Sequence, residues 1–191
     1  MNHSLLYALI AGFLLSNPFA SFGLIPTSAL GATQRPRDAR PYAVYGMLSV
    51  PLFSLLGWLL HAALVLMRLK AIELPCYILL LWGVNRMLTA LVARSRNLSD
   101  QAPYFFTNCA VMGAGLLVIA RYPDDFLPAL AYACGLAASF FGSVILISHF
   151  RERIETKSYS RLLAGWPSFL LVCAFLWITF EGLGLLISSS P

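Results

Sequence analysis

The sequence predicts an all-α polytopic membrane protein of six transmembrane helices, built as two inverted three-helix repeats with helices 1 and 4 broken. Three observations carry this. The chain is 59% hydrophobic and only 11% charged, with a mean hydropathy of +0.77, where soluble domains are about 25% charged. Its apolar residues gather into six runs separated by short polar connections. The first run of each half is interrupted: by Ser16-Asn17-Pro18-Phe19 and Phe22-Gly23-Leu24-Ile25-Pro26 in one, and by Thr107-Asn108-Cys109 in the other. In hydrocarbon an unsatisfied polar group costs several kcal/mol, so such breaks need protein or a cofactor around them. Paired breaks in corresponding halves point to a site near the bilayer midplane.

The first segment covers about 4–31 and is broken near 17–26, where Pro18 and Pro26 act as helix-breakers. Met1-Asn2-His3-Ser4 lacks the positive start of a signal peptide, so this segment reads as a retained helix. The second covers 42–67 and contains Pro51, whose freed carbonyl neighbouring helices can satisfy. The third covers 72–93 and ends with Asn85 and Arg86, the latter able to snorkel to the headgroups. The fourth covers 103–120 and is broken near 107–113. The fifth, 126–149, carries Ala131, Gly135, Ser139 and Ser143 at four-residue spacing with Ala138 and Gly142 alongside. Such a stripe allows close helix approach, within the bundle or at a subunit interface. The sixth covers 163–187. Together they form one membrane domain over 1–191, with repeats of about 1–95 and 100–191.

Charge sets the orientation. If the connections alternate sides, Arg35, Arg37, Arg40, Arg86, Arg94, Arg96, Arg151, Arg153, Lys157 and Arg161 share one side, against Arg68, Lys70 and Arg121 on the other. The positive-inside rule then puts both termini outside the cytoplasm, periplasmic in a bacterial inner membrane. Three spans per half would insert the second half upside down. The net charge of +5 belongs to these cytoplasmic connections, and no aromatic-interleaved basic stripe suggests nucleic acid. Asn97-Leu98-Ser99 is a glycosylation sequon in form only, since the charge rule places it inside.

The cysteines Cys76, Cys109, Cys134 and Cys173 match no zinc or CxxC spacing. All but Cys109 read as buried thiols packing as small hydrophobes. Asn17 and Asn108 suit the role of bonding backbone freed at the breaks, with contact to an ion or cofactor as the alternative. Glu181 is the one acid well inside a span, and an intramembrane acid is a functional candidate by default. It also stands close enough to the span's end to reach interfacial water. His61 lies deep in Leu59-Leu60-His61-Ala62, as a packing residue or a proton relay; His149 falls at the cytoplasmic interface beside Arg151.

Thr107-Asn108-Cys109-Ala110-Val111-Met112-Gly113 resembles the fourth-span signature of the membrane subunits shared by Rnf and sodium-pumping NADH:quinone oxidoreductase complexes. Gly23-Leu24-Ile25-Pro26 stands in place of that family's first-span G-L-C-P motif, and Ser148-His149-Phe150-Arg151-Glu152-Arg153-Ile154 is similar to its closing I-R-E-R-L run. The similarity runs the length of the chain and favours the RnfA/NqrE branch. It implies a non-catalytic subunit of a translocating oxidoreductase complex that couples electron flow to Na⁺ or H⁺ movement, without binding NADH or ferredoxin itself. It also implies an inverted homologous partner subunit with which a [2Fe-2S] cluster is shared, two cysteines from each chain. Cys109 matches one ligand position, as cofactor-binding and metal residue. Ile25 occupies the other, and a hydrocarbon side chain cannot ligate iron. Two alternatives stand beside this reading: a cluster-less structural or ion-pathway paralogue, and a small stand-alone transporter.

Overall fold

The computed structural model describes residues 2–16, 29, 32–93, 109–157 and 165–189, and within them every regular element is helical. Helix α1 (Asn2–Ile10) passes into a π-helical turn, Ala11–Leu15, and stops at Ser16, whose backbone leaves helical geometry at φ −124°. The Ser16 N–H still bonds the Ala11 carbonyl at 3.0 Å. Helix α2 (Pro36–Leu66) follows, then a 3₁₀ turn (Lys70–Ile72), α3 (Glu73–Ala93), α4 (Cys109–Arg121), α5 (Phe126–Lys157) and α6 (Trp166–Ser189).

Among the described residues three helical stretches are long and apolar enough to cross a membrane: Ala39–Leu66, Phe126–Thr156 and Trp166–Leu183. The shorter apolar helices are Leu5–Leu14 and Ala110–Arg121. They belong to the two segments in which breaks are expected from sequence. The 17–26 break and residues 107 and 108 lie outside the described residues. The rest of the expected 107–113 break is corrected: Cys109 to Gly113 form the first turns of a regular helix.

The polar connections are corrected as well. Helix α2 begins at Pro36, six residues ahead of the expected start, because Pro at the first helical position has φ already set and no N–H to leave unpaired. Helix α5 runs eight residues past 149, so Arg151, Glu152 and Arg153 form a helical turn. At ~1.5 Å per residue both helices exceed a bilayer's hydrocarbon thickness of about 30 Å. Pro41 and Pro51 sit inside α2 without ending it.

Helices α2 and α5 form the centre of the bundle; α4 packs on α2, α1 on α5, and α6 on α5. The core is lined by small and aromatic residues, with Phe53, Tyr132, Phe140 and Phe169 all buried. Where α1 crosses α5, Gly12 and Gly135 bring the backbones together. A Cβ on Gly12 would lie 2.4 Å from the Tyr132 carbonyl oxygen, and one on Gly135 2.3 Å from the Leu9 carbonyl oxygen. Ser139 and Ser143 are buried on the same stripe, so this part serves packing within the bundle. Gly142, alongside, has open space around its Cβ direction.

The connections fall at two ends. Gln34 to Arg37 share a cleft with His149, Glu152, Glu155 and Thr156. At the other end the Trp58 indole N–H donates to the Tyr122 carbonyl at 3.1 Å and its ring meets Phe126 edge-on. The described basic residues thus divide between the ends as the alternation of connections requires.

Candidate functional site

Cys109 is the first residue of α4. Its position follows from how that helix seats. Ala110, Val111 and Ala114 are fully buried, and a Cβ on Gly115 would stand 2.4 Å from the Phe53 ring of α2. One turn on, a Cβ on Gly57 of α2 would stand 3.4 Å from Ile119 Cδ1. The pairs 53/115 and 57/119 advance together along both helices, so six residues earlier Cys109 lies near the level of Met47. That is roughly 16 Å along α2 from Pro36, at ~1.5 Å per residue.

The other cysteines stand on three different helices: Cys76 is half-buried on α3, Cys134 exposed on α5, and Cys173 buried on α6, all as free thiols. Among the described residues no group of three or more His, Cys, Asp or Glu side chains gathers in metal-binding geometry. Ile25, Asn17, Pro18, Pro26 and Asn108 lie outside the described residues. By donor chemistry the chain brings one motif thiol, where sharing a four-thiolate cluster equally between two chains takes two from each. The residues present therefore do not by themselves fit half a [2Fe-2S] site.

Among the described residues the most extensive buried polar cluster surrounds Arg151, a residue expected from sequence in a short polar connection. Its side chain is 0% exposed. Nη1 donates to Thr33 Oγ1 at 2.8 Å, and Nη2 to Glu155 Oε1 at 3.2 Å and the Gly165 carbonyl at 3.4 Å. The guanidinium also stacks over Phe169, 5.4 Å from the ring centroid. Glu155 accepts from the Ser168 hydroxyl at 2.7 Å and from the Gly165 N–H at 3.3 Å. Gly165 adopts φ +82°, a left-handed conformation that suits glycine. These hydrogen bonds tie the residues preceding α2, the end of α5 and the start of α6. The spacing of Arg151 and Glu155, one helical turn apart, was the signal available in sequence.

A smaller buried pair links α2 to α3. The Tyr45 hydroxyl donates to Asn85 Oδ1 at 2.8 Å, and Asn85 is 0% exposed. Asn85 is therefore a buried polar anchor, while Arg86 beside it is exposed and rests over the Trp82 ring at 5.8 Å. Tyr45→Phe is expected to lower stability in detergent by about 1–3 kcal/mol, the cost of removing a buried partner. A thermal melt unchanged from the native protein would contradict this.

His61, read in sequence as packing or relay, is partly exposed, with Nδ1 2.5 Å from Glu73 Oε1. Glu181 is exposed on α6, and His149 is exposed at the mouth of the cleft near Glu152.

A family model described as "Rnf-Nqr subunit, membrane protein" matches residues 5–187. The chain belongs to the Rnf-Nqr membrane-subunit family. Among Rnf-Nqr relatives, the A subunit of the Na(+)-translocating ferredoxin:NAD(+) oxidoreductase complex of Acetobacterium woodii is 25% identical over 185 residues, covering 94% of this chain and 96% of the relative. The A subunit of the ion-translocating oxidoreductase complex of Photorhabdus laumondii is 27% identical over 186 residues, covering 92% and 94%. That of Syntrophotalea carbinolica is 27% identical over 187 residues, covering 94% and 95%. The family resemblance read from the motifs is thereby shown for nearly the whole chain.

Proposed function

We propose that this Rnf-Nqr protein is the A-type membrane subunit of an ion-translocating electron transport complex in a bacterial inner membrane. The end-to-end match to relatives that are A subunits of such complexes supports it most directly. It works beside an inverted homologous subunit, and the complex moves Na⁺ or H⁺. The two short apolar helices, Leu5–Leu14 and Ala110–Arg121, open the two halves of the chain, as expected of inverted repeats with broken first helices. The basic end, with Arg35, Arg37, Arg151 and Arg153, faces the cytoplasm by the positive-inside rule. Helix α6 starts at that end, its third residue Ser168 bonded to Glu155, so its far end lies on the periplasmic side.

In this role Cys109 is the one motif thiol of this chain that would reach an intramembrane [2Fe-2S] cluster shared with the partner subunit; with Ile25 in the other position, the remaining ligands would come from other chains. Such a cluster, when bound, would relay electrons between the two faces. It opens α4, and the buried Ala110 and Ala114 fix the helix that carries it. Ile25 favours a second reading: a paralogue that keeps its place in the complex as scaffold or ion pathway while other chains carry the electrons.

Iron content and EPR of the reduced, purified assembly separate the two, comparing native protein with Cys109→Ser. Loss of a [2Fe-2S] signal in the variant is the expected result. Identical spectra and iron content would leave the cluster-less reading. Failure to co-purify with flavin or iron–sulfur subunits would remove both in favour of a stand-alone transporter.

A further inference from the structure

At the bundle end opposite the basic cleft, three ionisable side chains meet that the proposed function leaves unused. His61 Nδ1, on α2, lies 2.5 Å from Glu73 Oε1 at the start of α3, and the Tyr77 hydroxyl donates to the same oxygen at 2.7 Å. The exposure is graded. The His61 and Glu73 side chains are 19% and 24% exposed, while Tyr77 is 2% exposed and closes the inner side. His61 Nδ1 and Glu73 Oε1 are hydrogen-bonded, and either atom can carry the proton between them. The other ring nitrogen, Nε2, has no hydrogen bond among the described residues.

We infer that His61, Glu73 and Tyr77 form a proton-loading site on the outward end of this subunit; the inference rests on the reading of the chain as part of an ion-translocating complex. Starting with the proton on Nδ1 and Glu73 ionised, a hydronium ion gives its proton to His61 Nε2, and the Nδ1 proton crosses to Glu73 Oε1. The products are a neutral imidazole protonated at Nε2, a neutral carboxylic acid and the water left by the donor. Release reverses both transfers. Tyr77 stays protonated throughout and holds the carboxyl group in line. Glu73 Oε1 meets a ring nitrogen and a phenol hydroxyl, partners that suit a proton better than a hard cation, which takes several oxygen ligands. Other ionisable groups toward this end, among the described residues, are Arg68 and Lys70 on the α2–α3 turn, Arg121 closing α4, Tyr122, Asp124 and Asp125 before α5, Tyr7 on α1 and Glu181 on α6. Arg68, Arg121, Asp124 and Asp125 are exposed.

Infrared difference spectroscopy of the purified complex across a pH step tests this. A carboxylic acid C=O band that grows as pH falls is expected in native protein, lost in Glu73→Gln and displaced in frequency by Tyr77→Phe. In the same complex the pH profile of ion translocation is expected to move by about tenfold in proton concentration in Glu73→Gln and His61→Gln. Glu73→Asp should hold the native position. A native spectrum without a titrating carboxyl that responds to Tyr77→Phe overturns the proposal, whether or not the other variants assemble. So does an unchanged pH profile in assembled variants, which would leave the trio a latch between α2 and α3. If the chain does not co-purify with redox subunits, the proposed complex falls instead. The infrared titration of the full-length chain in detergent still decides the proton site.

Discussion

Arg151→Ala is expected to lower stability by about 3 kcal/mol, the lower end of the range for breaking a buried ion pair, because Glu155 is partly exposed. The guanidinium is fully buried, and its loss leaves Thr33 Oγ1 without its donor and Glu155 without its counter-charge. Glu155 retains Ser168 and the Gly165 N–H, which satisfy its lone pairs without balancing its charge. Arg151→Lys should recover only part of the loss. One ammonium cannot span Thr33, Glu155 and the Gly165 carbonyl in the fork geometry a guanidinium supplies, nor stack on Phe169 in the same way. In a chain of this size the alanine variant should melt on the order of 10 °C lower, measured by scanning fluorimetry in detergent. A melt within a degree or two of native would mean that the cluster contributes no net stability. Because the cluster joins the chain ahead of α2 to α5 and α6, yield of the assembled complex should fall along with the melting temperature.

The second large effect is steric. Gly135→Val is expected to separate α1 from α5, since its first added carbon would stand 2.3 Å from the Leu9 carbonyl oxygen and 2.9 Å from the Phe13 nitrogen. Both are backbone atoms and cannot rotate away, so the helix itself must shift. A loss at the upper part of the roughly 1–3 kcal/mol overpacking range is expected. Gly142→Ala, seven residues further along the same helix, has nothing within 4 Å of the new carbon. It should be neutral, or stabilising by up to about 1 kcal/mol through helix propensity. Proteolysis of α1 in the folded protein, compared between the two variants, reads the difference directly. Equal resistance in both would contradict close backbone packing at this crossing.

Both effects bear on function through position. The α1–α5 crossing fixes where α1 ends at Ser16, just before the first interrupted motif. Phe53 against Gly115 fixes how α4 carries Cys109 into the bundle. The residue with the candidate chemistry is held by neighbours that have none.

The sequence by itself determined the helical class, the order of the elements, the division of basic residues between two ends, and the family. Each follows from composition, run length and local motifs, which are properties of contiguous residues. The small-residue stripe on α5 was legible too, yet only the packed structure separates Gly135, pressed on α1, from Gly142, facing open space. The helix ends were missed at Pro36 and beyond 149 because hydropathy ends where charge begins, while the helical backbone continues through Arg151 into Lys157. Arg151 itself read as part of a short polar connection. Its burial depends on Thr33 and Gly165 arriving from distant parts of the chain, and no local pattern encodes that meeting. His61 illustrates the same limit. Its partners Glu73 and Tyr77 lie beyond a reversing turn, so only the tertiary structure could turn an isolated histidine in an apolar run into one member of a hydrogen-bonded trio.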